Sequence, residues 1–258
     1  MTTVLLEKSD GVATITMNRP EVYNSFNGVL ATEVKAALLD CKEDESVRAI
    51  VLTGAGKAFC AGQDLQEIIG ENAPSLSSIL TERLNPLVEL IREIEKPIIA
   101  AVNGVAAGAG ANIALVCDVT IAKESASFIQ AFSKIGLIPD SGGTYFLPRL
   151  IGPQRAMALM ITGDKLPATE AEKIGLIYKA VEDGAFYEEV DNFAKRLAKM
   201  PTKAIGLTKR ALNYSFDNTL ERQLAIEDNL QSEASLTEDF KEGVAAFVEK
   251  RHPIFKGR

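Results

Sequence analysis

Between Ile98 and Ala122 the chain runs IIAAVNGVAAGAGANIALVCDVTIA. A stretch this apolar must be buried, and one so rich in glycine and alanine lets its backbone lie close against other backbone. Its length invites comparison with a membrane span. Asn103, Asn112, Asp118 and the glycines argue instead for a buried strand, turn, helix and strand. The expected elements are a strand at Ile98–Val102, a small-residue helix at Gly108–Val116 and a strand at Asp118–Ala122. The run leads into KESASFIQAFSKIGLIPDSGGTY, whose turn Pro139-Asp140-Ser141-Gly142-Gly143 sets one carboxylate beside a glycine-rich helix start. Together the two halves read as an active-site wall, with backbone N–H groups to hold an oxyanion and one acid to move a proton.

The rest of the chain supplies the frame. Val4–Lys8 and Val12–Met17 flank Ser9-Asp10-Gly11, a hairpin signal. Asn27 is suited to cap a helix running to about Asp40, with Leu30, Val34, Ala37, Leu38 and Cys41 on one face. Val47–Thr53 reads as a buried strand, Lys57–Leu65 as a loop, and Ser75–Glu93 as a helix closed by Pro97. After Gly142 the pattern is helical almost to the end, with Pro201 and Pro253 as breaks. An α/β class follows. Repeated strand–strand–helix turns begin near Val4, Val47 and Ile98, and residues 201–258 form a helical region after a 1–200 core. A length of 258 residues suits one large domain with an appendage.

Composition removes several function classes. A net charge of −7 disfavours nucleic acid and anionic membrane as partners, while a helix N-terminus can still receive an anionic ligand. The start MTTVLLEKSDG has no basic segment followed by an apolar run, so no signal peptide is expected. The 3 cysteines, Cys41, Cys60 and Cys117, lack metal-ligand spacing and read as reduced thiols of a cytoplasmic protein. The single histidine, His252, is near the end, which leaves no histidine-based triad, base or metal site in the core. No metal and no separate cofactor are expected.

Three places could carry chemistry. Ala61-Gly62-Gln63-Asp64 follows a buried strand, where α/β sheets bind ligands, and Gly62 lets the next N–H turn into a cleft. It could equally be a plain loop in which Asp64 bonds local backbone. Ala107-Gly108-Ala109-Gly110-Ala111 opens a helix with free N–H groups, or packs that helix tightly on a sheet. Asp140 is either the cap of the helix after it or an acid. Phe128, Phe132, Ile135, Leu137, Ile138, Tyr145 and Phe146 lie nearby in sequence, and a carboxylate desolvated among them would have a raised pKa.

Motifs spread along almost the whole chain carry a family resemblance. They are NRPEVYNSF, IVLTGAGKAFCAGQDL, KPIIAAVNGVAAGAGANIALVCDVTIA, FIQAFSKIGLIPDSGGTYFLPRLIG, GLIYKAV and KRHPIF. In this order they resemble the crotonase (enoyl-CoA hydratase/isomerase) superfamily, and within it the ring-1,2-epoxyphenylacetyl-CoA isomerase branch. The resemblance implies a crotonase (ClpP-like) spiral of ββα turns, a C-terminal helical trimerisation region giving a trimer or dimer of trimers, and a coenzyme A thioester as substrate. It implies an oxyanion hole from the N–H groups of Gln63 and Ala109. It further implies coenzyme A contacts from Pro20–Ser25 (Val22 and Asn24 among them), from Ala61, Gly62, Asp64 and Leu65, from Gly110, and from Phe255 and Lys256, the last two from the same or a neighbouring subunit. Phe132, Ile138 and Tyr145 are the implied acyl-pocket residues.

Within the superfamily the acids discriminate. Hydratases carry glutamates at positions that match Asn112 and Phe132 here, so neither acid is present. Asp140 stands where some isomerases carry their single acid, and one acid suffices to take a proton from one carbon and return it to another. Related dehalogenases use an aspartate here as nucleophile with a Trp and a His in the pocket; this chain has no Trp and no His in that region. The expected function is therefore acyl-CoA isomerisation, either of a double bond or of a ring epoxide. A weak hydratase and a non-catalytic coenzyme A ester binder or structural trimer are the alternatives.

Overall fold

Asp10 and Gly11 both take left-handed backbone, at φ 53° and 79°, which a tight hairpin turn requires if it is to match the twist of its strands. They join β1 (Val4–Ser9) to β2 (Val12–Met17), paired antiparallel from Val4↔Met17 to Ser9↔Val12. The computed structural model describes residues 2–70 and 73–258. Next comes α1 (Gly28–Glu43), whose first turn is closed by the Asn27 side chain accepting from the Leu30 N–H at 2.9 Å. Its Leu30, Val34, Leu38 and Cys41 are buried.

From there the chain winds as a spiral of strand pairs: β3 (Ala49–Gly54) with β4 (Ala58–Cys60), β5 (Ile98–Val102) with β6 (Val105–Ala107), and β7 (Val119–Lys123) with β8 (Ser127–Ile129). Two later strands, β9 (Lys165–Pro167) and β10 (Lys179–Val181), complete the sheets. The first strand of each pair enters a six-stranded sheet, β1-β2-β3-β5-β7-β10, and the second enters a four-stranded sheet, β4-β6-β8-β9. All pairings are parallel except β1 with β2 and β8 with β9.

Side chains alternate across a strand, and here both faces of the larger sheet are covered. Ile50, Leu52, Ile98, Ala100 and Val102 join the main core with α1. Ala49, Val51, Ile99 and Ala101 face the other way into a second cluster. This explains why β5 is buried at every position and reads as an unbroken apolar run.

The helices between and after the strands are α2 (Leu76–Ile79), α3 (Asn85–Glu93), α4 (Ala109–Val116), α5 (Gly143–Ile151), α6 (Pro153–Thr162), α7 (Ala168–Lys173), α8 (Phe186–Ala198), α9 (Thr202–Ser215), α10 (Leu220–Ser235) and α11 (Glu238–Glu249). Phe186, Val190, Ala194 and Ala198 of α8 fill the second cluster. Between α2 and α3 the path widens into a π turn over Leu80–Leu84. Pro86 has no N–H to give and its ring crowds the carbonyl one turn back, so a wider turn absorbs it. α9 is tied to the core by Lys209, whose ammonium donates to the Ile91 carbonyl at 2.7 Å and to Asp118 at 2.8 Å. Among the described residues no helix is long and apolar enough to cross a membrane.

Two sequence expectations change. The segment Lys57–Leu65 is only partly loop, since Ala58–Cys60 is β4 and a 3-10 turn starts at Leu65. The strands β6, β8, β9 and β10, of three residues each, have no residue range in the sequence reading, although its repeated strand–strand–helix turns call for a second strand after Ile98–Val102. A run that short carries no readable alternation.

The cap of α1 allows a direct check. Asn27→Ala removes the acceptor for the Leu30 N–H and is expected to destabilise the fold by about 1 kcal/mol. Urea unfolding should show a lower midpoint at an unchanged slope.

Candidate active site

The spiral brings the loop after β4 against the start of α4. Gly62 has φ 94°, and a side chain there would come within 2.9 Å of the Ala107 carbonyl and 3.4 Å of the Ala109 nitrogen. Phe26 pairs across the loop, its N–H donating to the Gly62 carbonyl at 2.7 Å and its carbonyl accepting from the Asp64 N–H at 2.8 Å. In that parallel bridge the N–H of Gln63, between the two, faces away from Phe26. On the facing segment, Gly108 (φ 52°) turns β6 directly into α4 while its own N–H stays in the sheet, donating to Ile129 at 2.9 Å. Among the described residues neither the Gln63 N–H nor the Ala109 N–H meets a hydrogen-bond acceptor. Both residues line one cavity of about 590 Å³. Two residues with unspent N–H donors, one at the start of α4, thus border one volume, and donors of this kind can stabilise a developing oxyanion when aimed at it.

Asp140 lines the same cavity. It does not cap α5: the cap position is Gly142, and no side chain bonds the first turn. Among the described residues, the Asp140 carboxylate accepts only from the Ser141 hydroxyl, at 2.9 Å. Burial raises its pKa above the ordinary aspartate value, and the Ser141 hydroxyl opposes the shift. The cavity around it has an apolar side that includes the buried Phe132 and the more exposed Ile135, Leu137 and Ile138. An acid with a raised pKa beside free N–H donors can remove a proton next to a carbonyl and hand it back.

The other expected site residues divide into two groups. Val22, Ala61, Gly62, Asp64 and Leu65 line the cavity, as do Phe132 and Ile138. The Asp64 carboxylate is already engaged, paired with Arg19 at 3.0 Å and capping the Gln66 N–H at 3.2 Å.

Five expected residues lie elsewhere. Asn24 is buried beneath the loop, taking the Arg19 N–H and donating to the Ala55 and Ala58 carbonyls, each at 2.9 Å. Gly110 is a packing position, where a Cβ would collide with the Cys60 carbonyl. Tyr145 turns to the opposite side of α5, into a separate cleft with Arg92 and Phe216. Phe255 packs beside Gly243, while Lys256 pairs with Glu238 at 3.0 Å. The tail carrying them is pinned within its own chain, because the Arg48 guanidinium donates to the Phe255 carbonyl at 2.7 Å.

The sequence reading missed one wall of the cavity: Leu76, Ile79, Leu80, Leu84 and Asn85. In sequence, Ile79 and Leu84 fall in an apolar stripe of the Ser75–Glu93 helix, which looks the same whether it faces core or cleft. The available signal was Pro86 inside that stripe, marking the π turn from which Leu80 and Leu84 come.

With this geometry in view, the chain is similar to known proteins over nearly its full length. A family model described as enoyl-CoA hydratase/isomerase matches residues 7–258. A probable enoyl-CoA hydratase of Rhodobacter capsulatus is 47% identical over 256 residues, covering 99% of this chain and 98% of that protein. The 1,2-epoxyphenylacetyl-CoA isomerase of Escherichia coli is 44% identical over 258 residues, with the same coverage of 99% and 98%. The crystal structure of an enoyl-CoA hydratase from Bacillus anthracis superimposes with a TM-score of 0.94 at 35% identity, covering 99% of this chain and 100% of that one.

The raised pKa of Asp140 links stability to pH. Ionising that carboxylate is harder in the folded chain than in the unfolded one. Its contribution to stability is therefore present below the ordinary aspartate pKa and is lost as pH rises through the raised value. Asp140→Asn, which cannot ionise, is expected to melt at a higher temperature than the parent at pH 7. The gap should close as pH is lowered below about 4, and calorimetry across that range measures it.

Proposed function

The chain belongs to the enoyl-CoA hydratase/isomerase family, the crotonase superfamily, whose members act on acyl-CoA thioesters, and we propose that it is an isomerase of that family working with a single acid. The observation that carries this reading is the presence in one cavity of one carboxylate raised in pKa by burial, Asp140, and of two residues with free N–H donors; the family resemblance further implies that Asn112 and Phe132 stand where hydratases carry glutamates.

The thioester carbonyl is received by the N–H groups of Gln63 and Ala109. Asp140 takes a proton from C2 of a 3-enoyl-CoA, and the electron pair moves into the carbonyl to give a dienolate. The two donors and the α4 dipole stabilise that charge, a contribution of about 3–4 kcal/mol for each well-aimed donor. Asp140 then gives the proton to C4, the double bond moves to C2–C3, and mass is conserved. A ring epoxide is the related substrate class, supported by the similarity to the Escherichia coli 1,2-epoxyphenylacetyl-CoA isomerase. Hydration is the second reading, favoured by the name of the Rhodobacter capsulatus relative. It requires an acid and a base about the attacking water, and Asn112 and Phe132 provide neither.

Self-association is part of the proposal, with residues 201–258 as its main surface. Leu220, Leu236, Phe247 and Val248 are exposed on α10, on α11 and between them, an apolar display that a monomer rarely keeps open to water. Light scattering is expected to give the mass of a trimer or of a dimer of trimers; a monomer at micromolar concentration would contradict it.

Incubation with 3-enoyl-CoA, 2-enoyl-CoA and epoxyphenylacetyl-CoA, read by mass and absorbance, tests the chemistry. Isomerisation leaves the mass unchanged, whereas hydration adds one water. Asp140→Asn is expected to lower kcat by about 10²- to 10⁴-fold. Full turnover in that variant would exclude Asp140 as the proton carrier.

A further inference from the structure

The backbone carbonyl of Asp140 accepts two hydrogen bonds. One comes from the Gly143 N–H at 2.8 Å and the other from the Asn112 side-chain amide at 2.8 Å. Asn112 stands on α4, one turn beyond Ala109, with 1% of its surface exposed. Its own side-chain oxygen accepts from the Gln130 amide at 2.8 Å, and Gln130 is also buried. The Asp140 carbonyl can only accept, which settles which way the Asn112 amide faces. With its oxygen turned to Gln130, it can present only its NH₂ group to Asp140.

The turn so gripped is a strained one. Ser141 and Gly142 follow each other in left-handed conformation, at φ 49° and 77°, and for the serine this is a disfavoured region. Gly143 lacks a side chain where the Asn112 amide lies; a Cβ there would collide with it. A turn of this kind persists only when its surroundings hold it, and the Asn112 amide grips this one from outside, through the Asp140 carbonyl.

We propose that Asn112, oriented by Gln130, is the positioning residue for Asp140. The amide clamps the carbonyl of the acid's own residue and so sets the carboxylate relative to the Ala109 N–H on the same helix. This rests on the reading of Asp140 as the proton carrier. It also gives a physical reason for the missing second acid. An ionised carboxylate at position 112 has only acceptors to offer, and it would face the Asp140 carbonyl with like partial charge. The position needs a donor, so anchoring the first acid this way excludes a second one there.

Two readouts test the clamp, and one of them needs no substrate. On 3-enoyl-CoA, Asn112→Leu and Asn112→Asp are expected to lose about 10- to 100-fold in kcat, the scale of a small misplacement of a reacting group, with KM within about threefold of the parent. Gln130→Met, which keeps length but removes the donor to Asn112, should fall in the same direction by less. The Asp140 carboxyl is then titrated by ¹³C NMR, with Asp140→Asn assigning the signal. A released turn exposes the carboxyl, so its midpoint in Asn112→Leu and Gln130→Met is expected to drop toward the ordinary aspartate value. An unchanged midpoint in the folded variants overturns the proposal whatever the kinetics. So does a lowered midpoint with parental kcat, provided Asp140→Asn has lost its turnover. If Asp140→Asn keeps full turnover while the midpoint falls in Asn112→Leu, the functional reading fails and the clamp stands. Should the Asn112 variants not fold, Gln130→Met carries both readouts alone.

Discussion

The structure depends on backbone meeting backbone between successive turns of the spiral. Three glycines stand at these meetings: Gly104 against Lys57, Gly110 against Cys60, and Gly62 against Ala107. At each of them an added methyl group would run into a carbonyl oxygen of the neighbouring turn. The small-residue composition of the run from Ile98 is therefore a spacing requirement. It lets the loop after β4 come so near to α4 that the Gln63 and Ala109 donors share one cavity. Larger residues would still make strands and helices, but the turns of the spiral would stand apart and the two donors with them.

Such spacing is legible in sequence only in part. The small-residue run, the cap at Asn27, the hairpin at Asp10-Gly11 and most of the helices after Gly142 show in residue type and period, because each is a local consequence of local chemistry. The four-stranded sheet did not show. Its strands are three residues long and hold their place through partners far along the chain, as Val105 does with Ser127. The cavity was legible on the sides that carry motifs and unseen on the side built by the π turn, where an apolar stripe looks the same whether it faces core or cleft.

The residues expected at the site teach a similar lesson. Asn24, Gly110 and Asp64 are held tightly in place by the fold's own needs: Asn24 ties Ala55 and Ala58 together, Gly110 clears Cys60, and Asp64 is held by Arg19. A residue can belong to a functional motif because it shapes the loop on which another residue works. Motif membership alone does not separate the two cases; hydrogen-bond partners do. The buried thiols fall on the structural side, since burial pushes Cys60 up to about 12 and leaves it without thiolate character.

Ala109 and Asn112 occupy the same helix, three residues apart, about 4.5 Å along its axis. The first faces the cavity with its N–H; the second grips the residue that carries the acid. Thermal motion of α4 within the spiral is therefore common to both halves of the site. A shift of the helix carries the donor directly and pulls on the acid's residue through the Asn112 bond, so the two are mechanically coupled. The helix is a lever that both halves of the site share.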